Sequence, residues 1–422
     1  MNSSAEYKRP LTNAVFMPRQ DPSRMLPLER RSAASLASIF ALRMLGLFLI
    51  LPVFAVYARN LPGGQNNLMV GLTLGIYGLT QGLLQVPFGV ASDRLGRKPV
   101  IVFGLVIFAL GSALAAVADS IFWVMIGRAI QGAGAISAAV TAMLADSVRD
   151  RVITRAMAMV GSSIGLTFAF SLIASPLLSE LIGVSGLFWL TAILSAVAVP
   201  VMLWIVPPAA QAKASDPVSH QPWQTVVFDG QQLRLNAGIF ILHLVLMALF
   251  VVIPTRLVAL NLPLRSHWHI YLPAVLLSFA FMMPLIVRAE RSGRTKLLFL
   301  VSIGLLALVF SGFASFGGSI LGISVLLLVF FVGFNILEAS LPSLVTKTAP
   351  PADKGLALGV YNTTQSIGLF AGGAIGGWLS NRFGSNGVYA CCAALMLVWL
   401  ALVVGMRSPK KRQSGEEIDL AN

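Results

Sequence analysis

The stretch GVASDRLGRK at residues 89–98 decides the fold of this chain. It concentrates glycine and charged residues in a turn that is flanked by two almost unbroken apolar stretches, residues 68–92 and 99–117. Each apolar stretch has roughly the 20 residues that a helix needs to cross the ~30 Å hydrocarbon layer of a bilayer. The pattern therefore predicts two membrane helices joined by a short charged turn.

The composition extends this interpretation to all 422 residues. Hydrophobic residues make up 57% of the chain and charged residues 11%, and the mean hydropathy is +0.83, so polar groups are too few to cover a globular surface. Backbone groups in lipid must be satisfied internally, which favours helices. We predict an all-α integral membrane protein with twelve transmembrane helices, at residues 33–57, 68–92, 99–117, 121–145, 155–181, 186–206, 236–259, 267–289, 296–313, 317–345, 355–380 and 385–406.

The basic residues predict the orientation of these helices. Of the 30 Lys and Arg residues, 24 fall in the tails and loops of one side, whereas only Arg59, Arg265 and Arg382 fall on the other. Because an excess of Lys and Arg marks the cytoplasmic side, we expect a multi-pass protein of the inner membrane with both termini in the cytoplasm. This asymmetry accounts for the net charge of +14 without a nucleic-acid partner, and we expect none.

The chain divides into two similar halves. Residues 207–235 are the longest polar interruption and are predicted to be a cytoplasmic linker between six-helix bundles at 33–206 and 236–406, with cytoplasmic tails at 1–32 and 407–422. The sequence SIGL occurs at 163–166 and again at 366–369, and DRLGR at 93–97 has the counterpart ERSGR at 290–294. Many secondary transporters are built from such repeats, with the binding site between them near the membrane midplane.

Four ionisable side chains stand out inside the predicted membrane helices: Arg43 in helix 1, Arg128 in helix 4, His243 in helix 7 and Glu338 in helix 10. Each costs at least ~2.5 kcal/mol at the bilayer centre, so each needs a partner, water or a task. The helical rise gives Arg43, His243 and Glu338 depths that are compatible with mutual contact. Either His243 or Glu338 carries a coupling proton, or Arg43 and Glu338 form a structural ion pair while His243 bonds a backbone carbonyl.

Polar side chains also recur along single helix faces. Tyr77, Gln81 and Gln85 are spaced four residues apart on helix 2, which places them on one face. We expect them to line an aqueous cavity, whereas the hydroxyl residues of helix 5 fit close helix packing equally well. The candidate cavity residues are Tyr77, Gln81, Gln85, Gln131, Asn335, Asn362 and Gln365.

The turn at residues 89–98 resembles the loop between helices 2 and 3 of the major facilitator superfamily, G-x-x-x-D-R-x-G-R-K. It matches at every fixed position: Gly89, Asp93, Arg94, Gly96, Arg97 and Lys98. The resemblance implies a cytoplasmic gate that joins the halves when the cavity faces outward, with the aspartate near the start of helix 11 and the arginines on an acidic residue ending helix 4, here Asp146. A basic loop that only sets topology is the alternative.

Two further segments resemble bacterial drug/proton antiporters of this superfamily. RAIQGAG at 128–134 matches an R-x-x-Q-G-x-G element whose arginine is associated with proton transfer, and helix 1 carries RMLG at 43–46 and LPV at 51–53. In contrast, SPLLSE at 175–180 keeps only the proline of the helix 5 signature G-P-x-x-G-G, which leaves the direction of transport open. The resemblance implies that helices 1, 4, 7 and 10 line a central cavity between two pseudo-symmetric six-helix bundles.

We predict a secondary active transporter that exports small amphipathic compounds, coupled to protons, by alternating access. Uptake or exchange of a specific, anionic metabolite is the alternative within transport, and a membrane sensor derived from a transporter is the alternative of another class. No nucleophile with a base, metal-ligand cluster or phosphate-cradling loop is visible, so we expect no enzyme, metal or cofactor. The expected partners are a small-molecule substrate, protons and the lipid bilayer, with the protein as a monomer.

Overall fold

The computed structural model describes residues 25–149, 152–207, 222–350 and 353–405. Within these ranges the chain is helical and contains no β-strand. Residues 1–24 of the predicted N-terminal tail, residues 208–221 of the predicted linker and the predicted C-terminal tail at 407–422 lie outside the described residues.

Ten continuous helical stretches in the described ranges are long and apolar enough to cross a membrane. Two of them contain 51 residues each, about 75 Å at the rise of an α-helix and therefore enough for two crossings. Each is broken near its middle by a glycine with positive φ, Gly183 at 70° and Gly384 at 66°, a conformation that a continuous α-helix excludes. Counting each long stretch as two gives twelve membrane helices.

We number these helices α1 to α12. Their bounds are α1 Pro27–Asn60, α2 Asn67–Leu95, α3 Arg97–Val117, α4 Ile121–Asp146, α5 153–182, α6 184–205, α7 Gly230–Ala259, α8 Trp268–Arg291, α9 Thr295–Phe316, α10 Ile320–Thr348, α11 354–383 and α12 385–404. A short helix, Trp223–Val227, precedes α7.

Each predicted membrane segment corresponds to one of these helices, and the largest differences are at two starts. Helix α1 begins at Pro27 rather than 33, because the Glu29 carboxylate accepts the Leu26 N–H at 2.7 Å and caps the first turn. Helix α7 begins at Gly230 rather than 236, because Asp229 accepts the first free N–H groups of the helix. These capping residues are polar, so a prediction from apolar length starts the helices too late.

Helix α11 packs closely against two neighbours through two glycine faces. One face lies on the α7 backbone and the other on the α2 backbone, across the boundary between the halves. An added Cβ on either face would collide with the partner helix, which is the physical basis of small-xxx-small packing in membranes. The α7-facing glycines are Gly368, Gly372 and Gly376, and the α2-facing glycines are Gly373 and Gly377.

The two ends of the bundle differ. We call the end that carries the α2–α3 turn and the end of α4 the basic face, and the other end the opposite face. At the opposite face the halves are joined: the Asn67 N–H donates to Asn381 Oδ1 at 2.9 Å, Asn67 Nδ2 donates to Ser380 Oγ at 3.0 Å, and Arg265 pairs with Glu180 at 3.3 Å.

Toward the basic face the α2–α11 contact opens. A Cβ added at Gly355 or Gly359, near the start of α11, would meet no other atom within 4 Å. On α2 the side chains of Leu83 and Val86 are 63% and 61% exposed. The two halves therefore touch from the opposite face to mid-membrane and separate toward the basic face.

Candidate functional site

Arg128 is at the centre of a buried polar cluster in the N-terminal half. Its side chain is 1% exposed and lies over the ring of Tyr77, with 4.8 Å between the guanidinium carbon and the ring centroid. Its Nη1 donates to Gln131 Oε1 at 2.9 Å, and Gln131 Nε2 donates in turn to Ser112 Oγ at 2.6 Å. The predicted residues Tyr77, Arg128 and Gln131 therefore form one connected group.

Arg43 joins this cluster from α1. It is 2% exposed, its Nη1 donates to Ser137 Oγ at 2.5 Å, and its guanidinium carbon lies 5.8 Å from the Tyr77 ring centroid. The alternative in which Arg43 forms an ion pair with Glu338 is wrong, because the guanidinium points to α4 within its own half. Similar depth in the membrane did not reveal that α1 turns this face away from α10.

The N-terminal cluster holds two positive charges without a negative one. No carboxylate among the described residues forms an ion pair or hydrogen bond with Arg43 or Arg128. Nε and Nη2 of Arg43 and Nε of Arg128 also have no hydrogen-bond partner in this part of the chain. A buried unpaired cation is strongly disfavoured unless water or an anion compensates it. The arrangement is therefore suited to receive a negative charge.

The C-terminal half holds the complementary group. His243 on α7 is 7% exposed, and its Nε2 lies 2.8 Å from Gln365 Nε2 on α11. Gln365 Nε2 also donates to Glu338 Oε1 on α10 at 3.3 Å, and Glu338 Oε2 lies 3.8 Å from His243 Nε2. His243 Nδ1 lies 3.3 Å from the Ile239 carbonyl oxygen. One amide thus bridges an imidazole and a carboxylate that come from two other helices.

A neutral histidine fits these contacts. If Nδ1 carries the proton, it donates to the Ile239 carbonyl, and the free Nε2 lone pair accepts one of the two N–H groups of Gln365. The second Gln365 N–H then donates a hydrogen bond to the Glu338 carboxylate. Every donor in the group has an acceptor, while Glu338 Oε2 remains without a hydrogen-bond partner among the described residues.

Aromatic side chains separate the two clusters. Phe168 on α5 contacts Phe48 on α1 with ring centroids 5.0 Å apart, and it contacts Phe334 on α10 at 6.2 Å. Phe334 lies 5.9 Å from the His243 ring. This layer bridges the halves at the level of the candidate site and supplies apolar surface between the cationic and the titratable groups.

The other predicted cavity residues are less connected. Gln81 and Gln85 on α2 are buried, and their Oε1 atoms have no hydrogen-bond partner in the described ranges. Asn335 donates to Ser278 on α8 at 2.9 Å, a contact within the C-terminal half. Asn362 is half-buried, and its backbone carbonyl accepts the Ser366 hydroxyl. The structure therefore does not bring Asn335 or Asn362 into either cluster.

The loop motif is held by bonds within the N-terminal half. Gly96 is the single residue between α2 and α3. Its φ of +94° ends the first helix and lets the chain turn into the second. Arg97 donates to Asp146 Oδ2 at 2.9 Å and to Ser92 Oγ at 2.8 Å, and it also pairs with Asp93. Lys98 donates to the Val206 carbonyl at 2.5 Å. The motif thus connects the basic ends of α2, α3, α4 and α6.

Asp93 differs from the expectation that it lies near the start of helix 11. Its side chain is 61% exposed, and its ion pair is with Arg97 of the same turn. Gly89 packs toward Ala138 on α4, and Arg94 is exposed without a partner in the described residues. The separation of the halves at the basic face explains the difference, because α11 is out of reach there.

Several contact residues were not predicted from the sequence. Glu29 accepts both the Arg149 Nε, at 2.7 Å, and the Arg149 N–H, at 3.0 Å, and this hydrogen bonding raises the pKa of the Arg149 guanidinium above its ordinary value. Ser137 and Ser112 were missed because isolated serines in apolar helices are indistinguishable from packing residues. The glycine pairs in FAGGAIGG at 370–377 did carry a signal for the α11 contacts.

Comparison with known proteins agrees with this architecture. The sequence profile of the Major Facilitator Superfamily matches residues 36–373 and 274–420. The inner membrane transport protein YajR of Escherichia coli (strain K12) is 40% identical over 392 residues, which cover 92% of this chain and 85% of the relative. The multidrug resistance protein MdtH of Proteus mirabilis is 26% identical over 364 residues, which cover 80% and 84%.

Solved structures share the fold. A bacterial homologue of the human lysosomal transporter Spinster superposes with a TM-score of 0.73 at 11% identity, over 90% of this chain and 97% of that one. The human organic anion transporter MFSD10 superposes with a TM-score of 0.69 at 17% identity, over 90% and 100%. With the profile match and the 40% identical relative, these twelve helices in two six-helix halves establish that the chain belongs to the major facilitator superfamily and is a membrane transporter, not an enzyme.

Proposed function

We propose that the protein is a proton-coupled exporter of small amphipathic compounds that works by alternating access, as a monomer in the inner membrane. The observation that carries this proposal is the contact of His243, Gln365 and Glu338 on three different helices of the C-terminal half. These are titratable groups inside membrane helices, and such groups mark proton pathways in transporters.

Glu338 is the proposed proton carrier. Its side chain as a whole is 33% exposed and His243 is almost fully buried, while the Glu338 Oε2 atom itself is buried in this state. Uptake of a proton neutralises the carboxylate and lowers the free energy needed to enclose it among apolar helices. Gln365 then loses a charged acceptor, and the hydrogen bonds among α7, α10 and α11 must rearrange. Protonation therefore changes the relative free energies of the conformations.

The proposed conformational change exchanges the two ends of the bundle. In the state described here, the Asn67–Asn381 and Arg265–Glu180 contacts join the halves at the opposite face, and the basic face is open. Closing the basic face would bring the start of α11 to the exposed Asp93. We propose that the basic face is cytoplasmic, with both termini, and that this closure gives the outward-facing state. A ligand shifts such an equilibrium by its differential affinity for the two states.

Export of amphipathic compounds is supported by the aromatic layer and by a relative. Phe168, Phe331 and Phe334 offer apolar surface between polar groups, which is the usual composition of a small-molecule site. MdtH of Proteus mirabilis is named a multidrug resistance protein.

Transport by inverted membrane vesicles tests the proposal. With an imposed gradient that is acidic inside, vesicles containing the protein should accumulate a fluorescent amphipathic cation, and accumulation should stop when the gradient is collapsed. Glu338→Gln should reduce accumulation to the level of vesicles without the protein, because an amide carries no exchangeable charge. Asp119→Asn, at an exposed carboxylate between α3 and α4 that makes no ion pair among the described residues, is the matched control and should retain transport. Wild-type pH dependence in Glu338→Gln would remove Glu338 from the coupling mechanism.

Uptake or exchange of an anionic metabolite is the second candidate. This candidate is supported by the buried guanidiniums of Arg43 and Arg128, because no carboxylate among the described residues forms an ion pair with either of them. The human protein MFSD10, which shares the fold, is an organic anion transporter. A counterflow experiment distinguishes the two candidates. If unlabelled organic anion on the other side of the membrane accelerates entry of a labelled organic anion, and the fluorescent amphipathic cation does not change this entry, the second candidate is favoured.

A further inference from the structure

A pocket of about 330 Å³ lies at the opposite face of the C-terminal half, apart from the central clusters. It is formed where α7 and α9 end and where the chain turns from α11 into α12. Its polar lining includes Arg256, Ser315, Ser385, Asn386 and Tyr389, together with the backbone of Gly317. No carboxylate is among the residues that line it, so the local charge is positive.

Arg256 lines the pocket and is held there by one backbone contact. Its Nε donates to the Gly317 carbonyl at 3.1 Å, which fixes the plane of the guanidinium. Within the described ranges its two Nη atoms make no further hydrogen bond and no ion pair. A planar guanidinium with two free nitrogens presents the fork that binds a phosphate through two parallel hydrogen bonds.

Tyr389 provides a second, independent indication of a ligand. Its side chain is 2% exposed, and its hydroxyl has no hydrogen-bond partner among the residues described. Its ring is stacked on Phe313 with centroids 5.2 Å apart and an interplanar angle of 23°, so the ring is fixed in place. A buried hydroxyl without a partner is disfavoured. Tyr389 lines the pocket, so a small shift of the side chains that cover its hydroxyl would let it donate to an acceptor oxygen bound there.

The surroundings place the pocket at the level of lipid headgroups. Phe383 lines the pocket, and its ring centroid lies 6.1 Å from that of Trp378. Both side chains are more than half exposed. Exposed aromatic residues at helix ends form the belt that marks the membrane–water interface. Both headgroups in the bilayer and soluble anions can reach a pocket at this level.

We propose that this pocket binds a phosphate group, carried either by a lipid headgroup or by a soluble phosphate compound. Arg256 supplies the charge and two N–H donors, Tyr389 supplies a buried O–H donor, and Ser315, Ser385 and Asn386 supply further polar groups. The site is separate from the transport pathway proposed above, and it stands whether or not that proposal is correct.

Thermal unfolding of the purified full-length protein in a neutral detergent tests the site. The probes are dioctanoyl phosphatidylglycerol, dioctanoylglycerol as the same lipid without phosphate, and inorganic phosphate against chloride at equal ionic strength. A ligand that binds the folded state raises the Tm as its concentration rises. We expect a phosphate-bearing probe to raise the Tm, and dioctanoylglycerol and chloride to leave it unchanged. Stabilisation by phosphatidylglycerol alone identifies a lipid headgroup, and stabilisation by inorganic phosphate identifies a soluble ligand.

Variants connect the stabilisation to the pocket. Arg256→Gln should raise the concentration of phosphate-bearing probe that gives half of the maximal Tm increase by about tenfold or more, since it removes a charged hydrogen-bond donor. Tyr389→Phe keeps the stack on Phe313 and should raise it by about threefold. Arg59→Gln, at an exposed arginine of the same face in the other half, should leave it unchanged. Equal responses of wild type, Arg256→Gln and Tyr389→Phe, or no response to either phosphate-bearing probe, would overturn the proposal.

Discussion

The two halves share a scaffold but bury different kinds of ionisable group: permanently charged arginines in the N-terminal half and titratable side chains in the C-terminal half. In the N-terminal half, α1 and α4 contribute Arg43 and Arg128, whose charge is fixed at any physiological pH. In the C-terminal half, the corresponding helices α7 and α10 contribute His243 and Glu338, whose charges change with protonation. The repeat therefore preserves where polar groups enter the membrane and changes which kind of group enters.

The difference separates two tasks. A constant positive charge attracts or balances an anion regardless of pH, whereas a titratable pair links conformation to the proton concentration. The Phe48–Phe168–Phe334 layer lies between the clusters, so each keeps its own hydrogen bonds. We infer that the N-terminal half sets the electrostatic environment of the cavity and the C-terminal half responds to protons.

The largest expected effect comes from removing the fixed charge. Arg128→Met should abolish transport at every pH, because the cavity loses a positive charge that no titration restores. The unfolding temperature should change little: removing an unpaired buried charge is favourable, whereas leaving Gln131 without its donor costs about 1–3 kcal/mol. Vesicle transport measured across a pH series, together with thermal unfolding, separates these two effects.

Arg128→Lys is the matched control for this prediction. It keeps the charge but loses the planar fork that contacts both Gln131 and the Tyr77 ring. Partial transport in Arg128→Lys and none in Arg128→Met would identify charge as the requirement. Full transport in Arg128→Met would contradict the assignment of a fixed-charge role to the N-terminal half.

A smaller effect is expected from Gln365→Leu, which removes the amide that joins His243 and Glu338. The carboxylate loses a donor, so its charged form is less favoured. The pH profile of proton-driven transport should move by about one unit toward alkaline pH while the maximal rate falls only severalfold. Gln365→Asn, which keeps an amide on a shorter side chain, should give an intermediate profile. An unchanged profile in Gln365→Leu would mean that the bridge does not tune the proton site.

The sequence predicted the helices and the positions at which charge enters the membrane, because apolar length and isolated ionisable residues are local properties. It also predicted Asp146 as the partner of Arg97, through the resemblance of the turn at 89–98. It did not predict which way Arg43 points, since the rotation of α1 is set by packing within the N-terminal half, chiefly against the α5–α6 stretch, and not by its own periodicity. The alternative of an Arg43–Glu338 ion pair was wrong for that reason.

Two other features required three-dimensional information. Gln365 was predicted as a cavity residue, but its role as a bridge depends on the close approach of α11 to α7, which Gly368 and Gly372 permit. If the basic face closes as proposed, the contact of Asp93 changes with conformation, so a residue pattern that is common to both states cannot predict it. The pocket beside Arg256 was missed because Arg256 comes from the end of α7 whereas Ser385 and Tyr389 come from the start of α12, and sequence spacing does not connect these two ends.

The smallest expected effect concerns the repeated turn, which the two halves also use differently. Gly96 and Gly293 both have positive φ and place the same turn after α2 and after α8. In the first turn Arg97 pairs with Asp146 at 2.9 Å, with both side chains only about a fifth exposed. In the second, Glu290 and Arg294 are exposed and form no ion pair within the described residues. The first turn therefore holds its half together, and the second is only a connection.

Asp146→Asn should consequently lower the free energy of unfolding by about 1 kcal/mol, because it weakens a partly buried ion pair. Glu290→Gln is the control that the repeat provides, and it should change stability by less than about 0.5 kcal/mol. Asp93→Asn should also leave stability near wild type, since Asp93 is exposed in this state, yet it should slow turnover if closure of the basic face recruits it. Unfolding temperatures and vesicle transport rates of the three variants test these points. Equal destabilisation by Asp146→Asn and Glu290→Gln would mean that the two turns contribute equally to the free energy of unfolding. The functional difference between the halves would then be confined to their buried charges.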